Sequence, residues 1–260
     1  MDIRGRKVLL TGASGGLGEA IAVGLAAEGA QLTVTGRRVA ELESLRDRTG
    51  AEVLVADLTD RDDLERVVDA ARHVDVLVAN AGTGNDIPIA EMTAEDVDRS
   101  IDVNLRAPIL MATAFVNTRV EQRRPGQAVF IGSLSGLAPT PDTRMYNATK
   151  FGLRGFALSL REDLLDTGVG VSIVEPGFIR DAGMFAASGT QLPAGVRTKS
   201  PEDVAAGVLR AITDDVAEVF VAPIELRLAA TLATVAPALS SRVQQRVGTR
   251  EIKASGRALG

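Results

Sequence analysis

Short apolar runs rich in β-branched residues recur along the chain: VLLT at 8–11, LTVT at 32–35, VLVA at 53–56, VLVA at 76–79, AVFI at 128–131 and VSIV at 171–174. With one more near the carboxyl end, the runs start near Lys7, Gln31, Glu52, Val74, Gln127, Val169 and Ala217. Unbroken apolar runs of this length fit strands whose two faces are both covered by helices. The stretches between them carry helix signals. Asp60 precedes RDDLERVVDAA with acids in its first turn, and Thr93-Ala94-Glu95-Asp96 is a capping-box start to a helix with Val97, Ile101 and Leu105 on one face. Alternating strands and helices joined by right-handed crossovers predict an α/β fold, a doubly wound (Rossmann) sheet of about seven parallel strands with helices on both faces.

No repeat, low-complexity tract or linker divides the 260 residues, so the pattern predicts a single domain over 1–260. Composition narrows the chemistry. There is no cysteine, which removes disulfides, a cysteine nucleophile and thiolate metal sites together. His73 is the only histidine, so a histidine metal cluster is ruled out and no metal site is expected. Catalysis has to run on Ser, Tyr, Lys, Asn or carboxylates. A formal charge of −5 argues against a protein that coats nucleic acid. The apolar stretch after MDIRGRK is too short for a signal-peptide core, so a cytoplasmic location is expected.

Thr11 opens TGASGGLG, placed where the first strand ends and a helix bearing Leu17, Ile21, Ala22 and Leu25 begins. Glycines there let backbone N–H groups approach a pyrophosphate at the positive end of a helix. A tight strand-to-helix turn with no ligand is the plainer reading. Gly15 beside Gly16 lets the string match both TGxxxGxG and TGxxGxxG.

From about Lys7 to Gly177 the chain resembles the short-chain dehydrogenase/reductase family. The resemblance rests on the glycine loop, Asp57 after the third strand, Asn80-Ala81-Gly82 after the fourth, Asn104, Ser133, Tyr146-Asn147-Ala148-Thr149-Lys150 and Pro176-Gly177. Ser133 precedes Tyr146 by thirteen positions, the family's spacing. Relatives with TGxxGxxG carry a sizeable substrate domain after the Tyr/Lys helix. Here 260 − 150 leaves 110 residues, which selects the single-domain TGxxxGxG branch and argues against a sugar-nucleotide epimerase.

The resemblance implies an oxidoreductase that moves a hydride between nicotinamide and a carbonyl or secondary alcohol. Tyr146 would be the general acid/base, Ser133 would hydrogen-bond the substrate oxygen, Lys150 would hold the nicotinamide ribose and tune Tyr146, and Asn104 would complete a proton relay through water. The implied cofactor-binding set is Gly12, Ser14, Gly15, Gly16, Leu17, Gly18, Arg37, Arg38, Asp57, Leu58, Asn80, Ala81, Gly82, Tyr146, Lys150, Pro176, Gly177 and Ile179. An acid at the end of the second strand would bind the ribose 2′-hydroxyl of NAD; Gly36 stands there with Arg37 next, which favours NADP(H) over NAD(H). Homodimers or homotetramers are usual among the proteins it resembles.

Tyr146 and Lys150 are four apart and share a helix face. At ~4 Å and an effective dielectric of ~20, an ammonium favours a phenolate by about 4 kcal/mol, which would bring the tyrosine from about 10 toward 7. Ser135 competes with Ser133 for the substrate-facing role, and His73 reads as a surface residue.

Asp181 stands where the family commonly has a Thr that contacts the nicotinamide carboxamide. The stretch 178–200, with Met184, Phe185, Leu192 and Pro193, reads as a substrate lid suited to an apolar or amphipathic small molecule. A helical tail is expected over 224–260, packed on the core or a partner subunit and interrupted by Pro237. Arg242, Arg246, Arg250, Lys253 and Arg257 make membrane contact through that tail the minor reading. Asp181 and the basic tail also keep open a catalytically weak dinucleotide-binding regulator or scaffold.

Overall fold

The computed structural model describes residues 1–84, 87–140, 142–183 and 197–238. Its strands are β1 (Lys7–Thr11), β2 (Gln31–Gly36), β3 (Glu52–Val55), β4 (Val76–Ala79), β5 (Gly126–Ile131), β6 (Val169–Pro176) and β7 (Glu218–Val221). They form one sheet in the order β3-β2-β1-β4-β5-β6-β7, every pair parallel. Strand order reverses at β1, whose Leu10 lies opposite Val34 of β2 on one side and Val78 of β4 on the other. A crevice opens beyond the carboxyl ends at such a reversal.

Helices α1 (Gly16–Ala27), α2 (Val39–Thr49) and α7 (Pro201–Asp214) cover one face, against Val8, Leu10, Val34, Val78 and Val174. Helices α3 (Arg61–Arg72), α5 (Ala107–Glu121) and α6 (Arg144–Asp163) cover the other, against Leu9, Leu77, Phe130 and Ile173. Successive strand residues thus enter opposite cores, which is why these strands read as continuous apolar runs. The edge strand β3 differs: Val55 is 39% exposed, because only β2 flanks it.

The capping signals are realised. Asp60 accepts from the N–H groups of Asp62 and Asp63 at the start of α3, and Thr93 and Asp96 exchange side-chain bonds at the start of α4 (Ala94–Ile101). Beyond α4 the expected regular helix gives way to a π-helical turn over Asp102–Arg106 before α5. The widened turn changes which residues face inward: Ile101 is 38% exposed, while Ser100 and Asn104 are buried.

Near the carboxyl end α8 (Ile224–Val235) stops before Pro237 and buries Ala230 and Ala233, and its Thr234 hydroxyl donates to the Leu137 carbonyl at 3.1 Å. Ile224, Leu228, Leu232 and Val235 on its other side are exposed. Among the described residues no helix is long and apolar enough to cross a membrane. The basic residues of the tail from Arg242 onward lie outside the described residues.

Phe130, fully buried on the interior strand β5, meets Phe156 of α6 edge-to-face at 5.9 Å. Phe130→Ala is expected to lower the unfolding free energy by about 3–5 kcal/mol, measured by urea denaturation.

Candidate active site

Strand β1 ends on Thr11, whose buried hydroxyl accepts the main-chain N–H groups of Asn80 at 3.1 Å and Ala81 at 3.0 Å. Asn80 answers through Nδ2, which donates to the carbonyls of Thr11 at 2.9 Å and Gly12 at 3.2 Å. With the ends of β1 and β4 clamped this closely, space decides the glycines between them. Gly12 has φ +68°, and a Cβ there would stand 2.7 Å from the Ala81 Cα. A Cβ on Gly18 would run into the Gly12 carbonyl oxygen, and one on Gly16 would lie 2.6 Å from the Ala182 Cβ. On Gly15 it would meet the Gly12 carbonyl at an ordinary 3.5 Å. The required spacing is therefore Gly12, Gly16 and Gly18, which is TGxxxGxG. Helix α1 begins without a side-chain cap, so its first-turn N–H groups and positive end remain for an anion. A cradle that methyl groups would fill, at an uncapped helix start, fits a dinucleotide pyrophosphate.

At the end of β2, a Cβ on Gly36 would lie 2.6 Å from the Ser14 hydroxyl. Arg38 reaches back to donate to the Ser14 carbonyl and pairs with Glu41 at 3.3 Å. Arg37 is exposed, with its guanidinium 3.5 Å from Asp57 Oδ2. Burial pushes the Asp57 carboxyl up, but the Thr59 N–H (3.0 Å), the Thr59 hydroxyl (2.8 Å) and Arg37 outweigh it and hold the group below its ordinary value.

Ser133 follows β5 and caps the 3₁₀ turn Leu134–Gly136; its Oγ accepts the Ser135 N–H at 3.1 Å. That bond occupies one lone pair of Oγ and leaves the hydroxyl hydrogen to be donated, and the Ser133 hydroxyl acts to lower the neighbouring Tyr146 phenol. Helix α6 places Lys150 one turn beyond Tyr146. The Lys150 ammonium, 3% exposed as a residue, donates to the Ile131 carbonyl at 2.7 Å and stands 5.7 Å from the centre of the Tyr146 ring. Burial lowers it to about 8, against the raising influence of Glu175.

The phenol departs from the sequence expectation. Burial pushes the Tyr146 hydroxyl up to about 12; the Ser133 hydrogen bond opposes this, and the negative Glu175 adds to it. The ammonium is bonded to Ile131 beside the ring face rather than to the phenol oxygen, so the ~4 Å attraction expected from the sequence is not realised in the free protein.

Asn104 lies in the π turn, and its amide is fully engaged. Its Oδ1 accepts the Thr83 N–H at 2.7 Å, and its Nδ2 donates to the Thr83 carbonyl at 2.8 Å and the Thr149 hydroxyl at 3.2 Å. It thereby ties the loop after β4 to α6. Gly82 lies in the same loop, and a Cβ there would come within 3.4 Å of Asn104 Oδ1 and 3.8 Å of Lys150 Nζ.

A sequence model of the short chain dehydrogenase family matches residues 6–192. The chain belongs to this family. As a short-chain dehydrogenase it is an oxidoreductase of CH–OH and C=O groups. Among curated relatives it is similar to the 3-oxoacyl-(acyl-carrier-protein) reductase FabG of Rickettsia conorii, 34% identical over 69% of this chain and 75% of that one. It is also similar to the NADP-dependent 3-hydroxy acid dehydrogenase YdfG of Salmonella typhi, 38% identical over 66% of this chain and 72% of that one. Among solved structures it resembles a short-chain dehydrogenase from Sphingobium yanoikuyae in complex with NADPH. The TM-score is 0.77 and the identity 27%, over 92% of this chain and 95% of that one.

The remaining sequence-derived positions fall as follows in this short-chain dehydrogenase. Gly177 donates its N–H to the Val221 carbonyl at 3.0 Å, and buried Ile179 bridges to Lys199. Asp181 is exposed at φ +65°, with its carboxylate 3.3 Å from Arg180. Leu58 is buried in the core behind β4, and His73 is an exposed residue at the end of α3. Of the expected lid, 184–196 lies outside the described residues.

Three residues of the dehydrogenase site have no assigned role in the sequence reading. Thr11 joins the two strand ends. Asn147 is buried in the YNATK segment; its Nδ2 donates to the carbonyls of Ser135 (2.7 Å) and Ala138 (3.1 Å), holding the serine loop on α6. Glu175, fully buried at the end of β6, accepts the Ser133 N–H. The available signal was a lone acid closing the apolar run VSIVE.

Gly15→Ala is expected to leave dinucleotide affinity within about twofold of wild type, as an uncrowded substitution should. Gly18→Ala is expected to lose more than about tenfold. Fluorescence titration with NADPH measures both, and equal losses would overturn the assignment of the loop.

Proposed function

We propose that this dehydrogenase is NADP(H)-dependent and reduces a carbonyl, or oxidises the matching secondary alcohol, on an apolar or amphipathic small molecule. The observation that carries the reading is the convergence of Ser133, Tyr146 and Lys150 at the carboxyl end of β5, with Lys150 bonded to the Ile131 carbonyl and 5.7 Å from the centre of the Tyr146 ring. The nicotinamide dinucleotide, when bound, supplies or accepts the hydride.

The chain's own residues account for the rest. Ser133 is held by the Ser135 N–H with its hydroxyl hydrogen free to orient a substrate oxygen. A carbonyl that gains a hydride needs one proton on its oxygen. The Tyr146 O–H gives that proton, its electron pair stays on the phenolate, and solvent returns the proton afterwards. Lys150 keeps a cation beside the ring, where a transient phenolate is stabilised. Asn104 fixes the loop after β4 against α6, and its part in a proton relay belongs to the same proposal.

Coenzyme choice rests on β2. Gly36 offers no carboxylate to a ribose 2′-hydroxyl, Arg38 reaches the glycine loop at the Ser14 carbonyl, and Arg37, next to Gly36, holds its guanidinium near Asp57. The names of the relatives, a 3-oxoacyl reductase and an NADP-dependent 3-hydroxy acid dehydrogenase, support the same coenzyme and carbonyl class. The residues Met184, Phe185 and Leu192 favour an apolar substrate portion.

NADPH oxidation against a panel of ketones, aldehydes and quinones is expected to find turnover. Tyr146→Phe should lower kcat by about 10²–10⁴-fold while NADPH still binds. No turnover on any panel member despite tight NADPH binding would overturn the proposal. Arg37→Ala should raise KM for NADPH with little change for NADH, and an unchanged NADP:NAD ratio would remove Arg37 from coenzyme selection.

A further inference from the structure

Glu175 is the one acid among the apolar residues of β6, with no exposed surface, on the face of the sheet that α6 covers. Two features show that the fold is built to receive it. Gly132 leaves room for it, since a Cβ at that position would overlap its carboxylate. The Ser133 main-chain N–H donates to its Oε2. Its other oxygen, Oε1, makes no hydrogen bond and lies 3.9 Å from the Arg154 guanidinium, which itself bonds Glu218 of β7 at 2.7 Å. The charged or titratable groups around it are therefore Lys150, Arg154 and Tyr146 on α6 and Glu218 on β7.

A carboxylate buried this completely is costly unless its charge is used or compensated. We propose that Glu175 is a positioning residue that poises Tyr146 as a proton donor: one oxygen anchors Ser133 from behind, while its negative charge opposes a second negative charge on the phenol. The proposal rests on Tyr146 being the group that exchanges the substrate proton, and it explains a feature that reading leaves unused. A phenol biased toward its protonated form suits carbonyl reduction, which consumes a proton from Tyr146 O–H. Alcohol oxidation needs the phenolate to take that proton, so the same bias defers oxidation to alkaline pH. The electrostatics agree in direction in the alkaline range where the phenol titrates: burial raises Glu175 to about 8, against the Ser133 N–H, Lys150 and Arg154, so above that pH the carboxylate is charged, and its charge raises Tyr146.

The test uses the full chain, whose single tyrosine and lack of tryptophan make ultraviolet absorbance a direct titration of Tyr146. Glu175→Gln keeps an oxygen to accept the Ser133 N–H and removes the charge. In the cofactor-free protein its tyrosine ionisation midpoint should fall by about one unit from wild type. The pH profile of alcohol oxidation should shift to lower pH by a similar amount. Glu175→Asp keeps the charge and draws the oxygen back from Ser133, so kcat should fall while the tyrosine midpoint stays within a few tenths of a unit of wild type. Circular dichroism establishes that each variant is folded.

A folded Glu175→Gln with an unchanged midpoint would overturn the inference. If that variant does not fold, a wild-type kcat or a lowered tyrosine midpoint in Glu175→Asp would do so. A wild-type protein inactive across the substrate panel sinks the functional reading instead, and the absorbance titration still decides whether Glu175 acts on the phenol.

Discussion

The structure depends on the close approach of β1 and β4 at their carboxyl ends. The Thr11 hydroxyl takes the N–H groups of Asn80 and Ala81, and the Asn80 amide reaches back over the Thr11 and Gly12 carbonyls. Parallel strands separate toward their ends unless something holds them, and here a buried network of hydrogen bonds does. With that distance fixed, Gly12 must adopt a left-handed conformation and Gly18 cannot carry a side chain. Helix α1 then starts directly over the crevice with its first N–H groups uncapped.

A second constraint is electrical. Lys150 and Glu175 are both buried behind the serine loop, with Arg154 at the edge and the Tyr146 ring 5.7 Å from the ammonium. Burial drives the lysine down and the glutamate up, toward similar values; Glu175 opposes the first shift, and the Ser133 N–H, then Lys150 and Arg154, oppose the second. Lone buried charges would be expensive, and opposed ones tolerate the low dielectric. The backbone participates directly: Ile131 accepts from the lysine and Ser133 donates to the glutamate, so the end of β5 holds cation and anion two residues apart.

Much of this was legible in the sequence, and the exceptions have physical causes. Strand runs such as AVFI and VSIV declare themselves because each residue enters one core or the other. Asp60 and Thr93 declare helix starts because few other side chains can satisfy free N–H groups. The π turn at Asp102–Arg106 was invisible, since an inserted residue leaves no compositional mark and Val97, Ile101 and Leu105 keep ordinary helical spacing. The tyrosine's environment was misjudged because spacing puts Lys150 near Tyr146 without saying where its ammonium bonds. It could not reveal that Glu175, distant in sequence, completes the charge balance from another strand.

The contact between Gly36 and Ser14 has a consequence for evolution and for engineering. The second-strand terminus and the phosphate loop press together so tightly that a methyl group on the former would meet the latter's hydroxyl at 2.6 Å. Recruiting a carboxylate to the strand terminus therefore requires the Ser14 hydroxyl to turn away in the same step. Positions 36 and 14 are thus coupled: a side chain gained at the strand terminus is felt first by the hydroxyl of the glycine loop.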